Sequence, residues 1–232
     1  MRPRTIMAVG AHIGDMDLAA GPILAQNVLD GGTSVLVALT PGERGHPRMP
    51  IPDYKAQKIE ETQKLAQHIG ARVHVFDDLS DGFLEASDEV ADRLAMLMRQ
   101  EKPDLVLAHW RLSMHSDHAN ASVIAERARL LSGLPGHRED EAARHGVGSL
   151  LYTENWEDAE GFVPDTSVEI SQEAFELWSE AIQGQAFARG ETYGFRYIDY
   201  YTAQMTMRGC LSRTERAVAL ASSTFPSLGQ LP

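Results

Sequence analysis

The feature that most restricts the fold is an alternation. Four short apolar runs, TIMAVG (5–10), TSVLVALT (33–40), RVHVF (72–76) and DLVLAH (104–109), are separated by segments of helical spacing. The runs are rich in β-branched residues. The segments between them repeat apolar residues every three to four positions, as at Val90, Leu94, Leu97 and Met98. Strands that alternate with helices are joined by crossovers, and crossovers build parallel sheets. The expected class is therefore α/β, a Rossmann-like, doubly wound, mostly parallel sheet. Helices are predicted from Asp15 to Asp30, from Asp53 to Ile69, from Glu85 to Glu101 and from His118 to Leu131, the first two closed by glycines. The stretch 41–52 is too rich in Pro and Gly for regular structure.

Residues 133–148 read as a linker or mobile loop, which divides a core (1–132) from a small α+β elaboration (149–232) within one domain. In the elaboration, SLLYT (149–153) and SVEI (167–170) read as strands and Gln172 to Ala188 as a helix. The aromatic run 193–201 reads as core packing or a subunit contact, which leaves room for a homo-oligomer. A chain of 232 residues, 43% of them hydrophobic, buries a core without disulfides. Its single cysteine, Cys210, excludes an internal disulfide and reads as a packed thiol in a reducing compartment. A net charge of −12 argues against a nucleic-acid partner. Arg2 and Arg4 precede only a short strand, so neither a signal peptide nor a membrane span is expected, and the location read from this is cytoplasmic.

Two segments carry chemistry. AVGAHIGDMDLAAG (8–21) follows strand one and holds His12, Asp15 and Asp17; AHWRLSMHSDHANAS (108–122) follows strand four and holds His109, His115, Asp117 and His118. In the strand order 3-2-1-4, strands one and four are neighbours, and ligands bind beyond their carboxyl ends. Two imidazoles and one carboxylate delivered there suit a catalytic divalent metal. Zinc is the first choice, and iron, manganese or cobalt accept the same donors. Each half has a plain alternative: Asp15 is an ordinary helix N-cap, and a lone His118 is an ordinary structural histidine. His109, at the end of its strand, reads as buried and hydrogen-bonded rather than as a third imidazole ligand. Dinucleotide, Walker and nucleophile-elbow motifs are absent.

The pair AHIGDMD and HSDH resembles the PIG-L/LmbE-like N-acetylglucosaminyl de-N-acetylases, whose members carry an A-H-P-D-D-x-E-like and an H-x-D-H segment at these places. LTPGERG (39–45), KIEETQKLAQHIGA (58–71) and SDGFL (80–84) are similar to further family segments in the same order. VEISQEAFELWSEAIQGQ (168–185) is a weaker match, without the family's lysine and serine. The resemblance implies His12, Asp15 and His118 as ligands of a divalent metal. It implies that His115 stabilises the oxyanion or protonates the leaving amine, and that Asp117 orients a histidine. The reaction it implies is hydrolysis of an acetamido group on a sugar or sugar conjugate, a small-molecule substrate. Lys58 stands where the family has a substrate-binding arginine; it keeps the charge and loses the bidentate fork, with a solvated helix residue as the plain alternative. Arg44 and His46 are placed to hold substrate hydroxyls or a phosphate, with loop solubility as the plain alternative.

The family's general base is missing. Gly14 stands where the family places its general base, and Ile13 where it has proline. Loss of a base costs about 10²–10⁴-fold in rate. Asp17, Glu43 and Asp117 are the candidates to replace it. Of these, Asp17 is expected to point away or to make a structural contact, and Glu43 is placed to reach the crevice, with an ordinary solvated loop charge as the plain alternative. Otherwise the glycine makes room for a bulkier substrate and different metal chemistry, or the site binds without turnover.

Overall fold

The computed structural model describes residues 4–138 and 140–222; Arg2 and the last ten residues of the expected C-terminal part lie outside them. Among the described residues a mixed sheet contains β1 (Thr5–His12), β2 (Thr33–Thr40), β3 (Arg72–Val75), β4 (Leu105–His109), β5 (Ser149–Thr153), β6 (Thr166–Glu169) and β7 (Ala217–Ser222). Their order is β3-β2-β1-β4-β5-β7-β6. The first five in that order run parallel, and β7 lies antiparallel between β5 and β6. The α/β class and the neighbouring placement of strands one and four are as expected. Val9 of β1 faces Ala108 of β4, so His12 and His109 end at the same edge.

The helices are α1 (Asp15–Ala19), α2 (Gly21–Leu29), α3 (Ile51–Ile69), α4 (Asp88–Glu101), α5 (Ser116–Gly133), α6 (Gln172–Ile182) and α7 (Tyr197–Ser212), with a single 3-10 turn at Trp156–Asp158. The two faces of β1 feed two cores, as strand alternation requires. Ile6 and Ala8 pack with Leu24, Leu65, Trp178 and Tyr201 on the side of α2, α3, α6 and α7. Met7, Val9 and Ala11 pack with Leu94, Met98, Ile124 and Ala128 on the side of α4 and α5.

Three expectations are corrected. The helix predicted from Asp15 to Asp30 is two helices, because Pro22 has no N–H to continue the ladder. The helix predicted to reach Ala188 stops at Ile182. Beyond it the chain turns back, and buried Gln185 donates to Asp17 Oδ1 at 2.6 Å. Cys210 is exposed on α7 rather than packed. The described residues of 134–148 form no regular element and are fastened to the core. The buried Arg99 guanidinium donates to the carbonyls of Leu131, Ser132, Leu134 and Ala142, and so satisfies the free carbonyls at the end of α5. No described helix is long and apolar enough to cross a membrane.

Candidate metal centre and cavity

β1 delivers His12, and Gly14 then turns the chain into α1 with φ +110°, a conformation that L side chains rarely adopt. The turn folds Asp15 back, and its Oδ2 accepts the His12 N–H at 2.8 Å. From the β4 side, His115 caps α5: its Nδ1 accepts the Asp117 N–H at 3.2 Å. One turn of helix brings His118 under both rings, 4.9 Å from His115 and 5.3 Å from His12 between centroids. Two loops a hundred residues apart therefore meet.

One atom each of His12, Asp15 and His118 lie within 4.8 Å of one another. Asp15 Oδ2 is 3.4 Å from His12 Nδ1 and 3.5 Å from His118 Nε2. The remaining ring nitrogens are held by carboxylates. His12 Nε2 faces Asp81 Oδ1 and Asp117 Oδ2, each at 3.2 Å, and His118 Nδ1 faces Asp158 Oδ1 at 3.1 Å. An ionised carboxylate only accepts, so these nitrogens carry protons, and His12 Nδ1 and His118 Nε2 are the ring atoms left facing Asp15. A divalent cation that takes the place of the second proton on His12 finds two imidazole nitrogens and one carboxylate oxygen here, so the residues fit the metal that the sequence suggested.

The charges follow from this crowding. Although burial opposes it, Asp15 and the hydrogen bonds to Asp117 and Asp81 hold His12 well above the usual histidine range. His109, fully buried, is likewise pushed up against burial, to about 9, by Asp15 at 3.0 Å and Asp158 at 2.8 Å. Burial and the neighbouring His109 lower His118. Asp15 and Asp158 lie well below the carboxylate range, because the histidines around them outweigh burial. Glu157 is the exception: burial, with the charges of Asp15 and Asp158, pushes its carboxyl up to about 7.

The donor set opens on a cavity of about 620 Å³ walled by Gly14, Asp81, Phe83, Trp156, Glu157, Phe187 and Tyr197, among others. His115, Arg44 and Lys58 also line it. Asp117 stands behind His12, and its Oδ2 also accepts the Gly82 N–H at 2.7 Å. Glu43 does not reach the cavity wall; it accepts from Ser80 Oγ (2.6 Å) and the Asp81 N–H (3.3 Å) instead. His46 is spent on its own loop, where Nδ1 accepts the Met49 N–H at 2.7 Å. Asp17 makes the structural contacts expected of it, with Thr62, Gln185 and the Gly14 N–H. The space beside Gly14 is not free for a bulkier substrate, because a Cβ there would sit 2.2 Å from Phe187 Cζ. The aromatic run is not only packing: Tyr193, Phe195, Tyr197 and Tyr201 line the cavity.

Sequence reasoning missed Asp81, Glu157, Asp158 and Phe187. Asp81 sits in the SDGFL turn, which was read as a family segment without a role for its aspartate. Glu157 and Asp158 follow β5, which pairs with β4, so the carboxyl-edge argument used for strands one and four would have found them. Phe187 carries no local signal, since it reaches Gly14 only through the turns after α6.

A family profile described as PIG-L: GlcNAc-PI de-N-acetylase matches residues 7–129. The 4-oxalmesaconate hydratase of Pseudomonas putida is 25% identical over 228 residues, 95% of this chain and 84% of its own. In three dimensions, the 4-carboxy-2-hydroxymuconate hydratase of Pseudomonas putida superposes with a TM-score of 0.85 at 24% identity, covering 99% of both chains. The N,N'-diacetylchitobiose deacetylase of Pyrococcus horikoshii superposes with a TM-score of 0.79 at 17% identity, covering 95% of this chain and 84% of its own. The last two likenesses show the shared fold.

Proposed function

This chain belongs to the PIG-L (GlcNAc-PI de-N-acetylase) family, and from that premise we propose that it is a divalent-metal enzyme, with zinc as the first candidate, that adds water to a small conjugated acid. The observation that carries this reading is the ring of Phe187 seated over Gly14, where the resemblance to the deacetylases expects a general base. The near full-length hydratase relative supports it. The metal seat is His12, Asp15 and His118, and an ion held there supplies Lewis acidity toward substrate oxygen and water.

The chain's own residues do the rest. Asp81 and Asp117 hold the His12 ring, and Asp158 holds His118, so both present lone pairs to the seat. His115 accepts a backbone N–H at Nδ1, so its Nε2 carries the proton and acts as a donor at the cavity wall. Glu157, beside His118 Nδ1 at 3.4 Å and lining the cavity, is the carboxyl available to accept a proton in place of the missing base. Arg44 steers anions at the mouth, while Glu43 and His46 act through their loops. The aromatic walls shield the site from bulk solvent. Hydrolysis of an acetamido group on a sugar conjugate is the second reading; it is favoured by the family description and by the same Glu157 carboxyl.

The test incubates the zinc-loaded protein with 4-carboxy-2-hydroxymuconate and, separately, with N-acetyl sugars. Loss of the dienoate absorbance, abolished by a chelator and reduced at least 10²-fold (roughly, for loss of a proton-transfer group) by Glu157→Gln, is expected. Acetate release without any absorbance change would instead establish the second reading.

A further inference from the structure

We propose that Lys58 is the receptor for a carboxylate of the substrate and so makes the cavity selective for planar organic acids over neutral sugars. The inference rests on the metal-enzyme reading of this cavity and deepens it by naming the residue that selects an acid over a neutral substrate.

Lys58 lies within α3, is 6% exposed and lines the cavity. Among the described residues its Nζ donates no hydrogen bond and has no carboxylate within ion-pair distance, 4.0 Å. Buried lysines are rare unless paired, and long lysines usually reach solvent with their charged end. Lys58 does neither. Its nearest recorded partners are aromatic faces, with Nζ 4.7 Å from the Phe187 ring and 5.6 Å from the Tyr54 ring. Asp15, Asp81, Asp17 and Glu61 act on it only through space, and burial outweighs them, lowering the ammonium below its usual range.

The surroundings keep this charge open. A Cβ on Gly42 would lie 2.9 Å from Nζ, so glycine there leaves the ammonium its place. An ammonium carries three donors, and one carboxylate satisfies both its charge and its hydrogen bonds. A sugar hydroxyl supplies a hydrogen bond and leaves the charge uncompensated. Phe187 thus has two tasks: it covers Gly14 and it backs the ammonium. With Phe83 and Trp156, it offers flat walls to a conjugated acid. Arg44, whose guanidinium lies 5.1 Å from the centroid of Phe83, lines the same cavity, but its charge already faces Glu43 at 3.5 Å, which leaves Lys58 as the unpaired cation among the described residues of the wall.

The test uses the zinc-loaded full chain, with calorimetric titration of benzoate as a planar carboxylate and N-acetylglucosamine as a neutral control. Any contact of benzoate with the ion is common to all variants, so differences report on position 58. Benzoate binding is expected in the parent, weakened roughly thirtyfold or more in Lys58→Met, as for loss of one partner of a buried charge pair. It is expected to stay within a few-fold in Lys58→Arg. Lys58→Met without ligand is expected to melt no lower than the parent, since it removes an unpaired buried charge. Equal benzoate affinity in parent and Lys58→Met, or no binding to the parent, overturns the proposal. So does a large drop in the melting temperature of ligand-free Lys58→Met, which would make Lys58 a structural residue. Carboxylate binding through Lys58 without absorbance loss in the hydration assay sinks the hydration reading alone. Hydration unaffected by Lys58→Met sinks this one alone.

Discussion

At the scale of single residues, Gly14 decides which chemistry the site can hold. Two obstacles stand against any side chain there: the φ of +110° and the Phe187 ring 2.2 Å from the added Cβ. Restoring the family's carboxylate with Gly14→Asp is therefore expected to cost about 2–4 kcal/mol from overpacking and left-handed strain. It is expected to release no acetate from N-acetyl sugars. Thermal unfolding and an acetate assay check both, and a stable variant that deacetylates would show that the ring yields easily. The meeting of His12, Asp15 and His118 was legible at this scale, because each sits at a strand end or on the first turn of a helix. Glu43 is held back for a physical reason: its loop position allows reach, but the Ser80 hydroxyl and the Asp81 N–H take up the carboxylate.

At the scale of elements, the break between α1 and α2 matters more than its length suggests. Gly21 opens α2 directly against the buried Trp178 indole, and a Cβ there would fall 2.6 Å from Trp178 Cδ1. Trp178 also donates to the Asp17 carbonyl at 2.8 Å, tying α6 to the turn that carries Asp15. Gly21→Ala is expected to destabilise by about 1–3 kcal/mol, as overpacking of a close-packed core does. A denaturant titration measures it, and an unchanged midpoint would mean that the indole shifts without cost. The strands were readable because their apolar runs are short and bounded. The helix ends were less so. Propensity carries the pattern past Ile182, while the turns that end α6 depend on a hydrogen bond to Asp17, 168 residues away from Gln185.

At the scale of the whole molecule, the site joins loops after β1, β4 and β5 with the turn at Asp81, and none of these is complete alone. A ligand that binds only the assembled arrangement stabilises the fold by mass action. Zinc at a hundredfold excess over its dissociation constant is expected to raise stability by about 2.7 kcal/mol. Asp158→Asn, which loosens the ring of His118 from the far strand, is expected to weaken zinc binding about 10–100-fold and to shrink that gain. Calorimetric melting with and without zinc, alongside a chelator competition, reads both. An undiminished gain in Asp158→Asn would mean that β5 plays no part in holding the ion.

What the sequence determined by itself is the alternation of strands and helices, and with it a parallel sheet whose first and fourth strands carry His12 and His118 to one edge. Those features are local: strand length, apolar period, glycine stops and the handedness of crossovers fix them without knowledge of distant contacts. Only the tertiary structure decided what surrounds the donors. The carboxylates behind the histidines, the ring over Gly14 and the open ammonium of Lys58 come from segments far apart in the chain. Their meeting is set by how the layers pack, and packing is a property of the whole that no short stretch of sequence encodes.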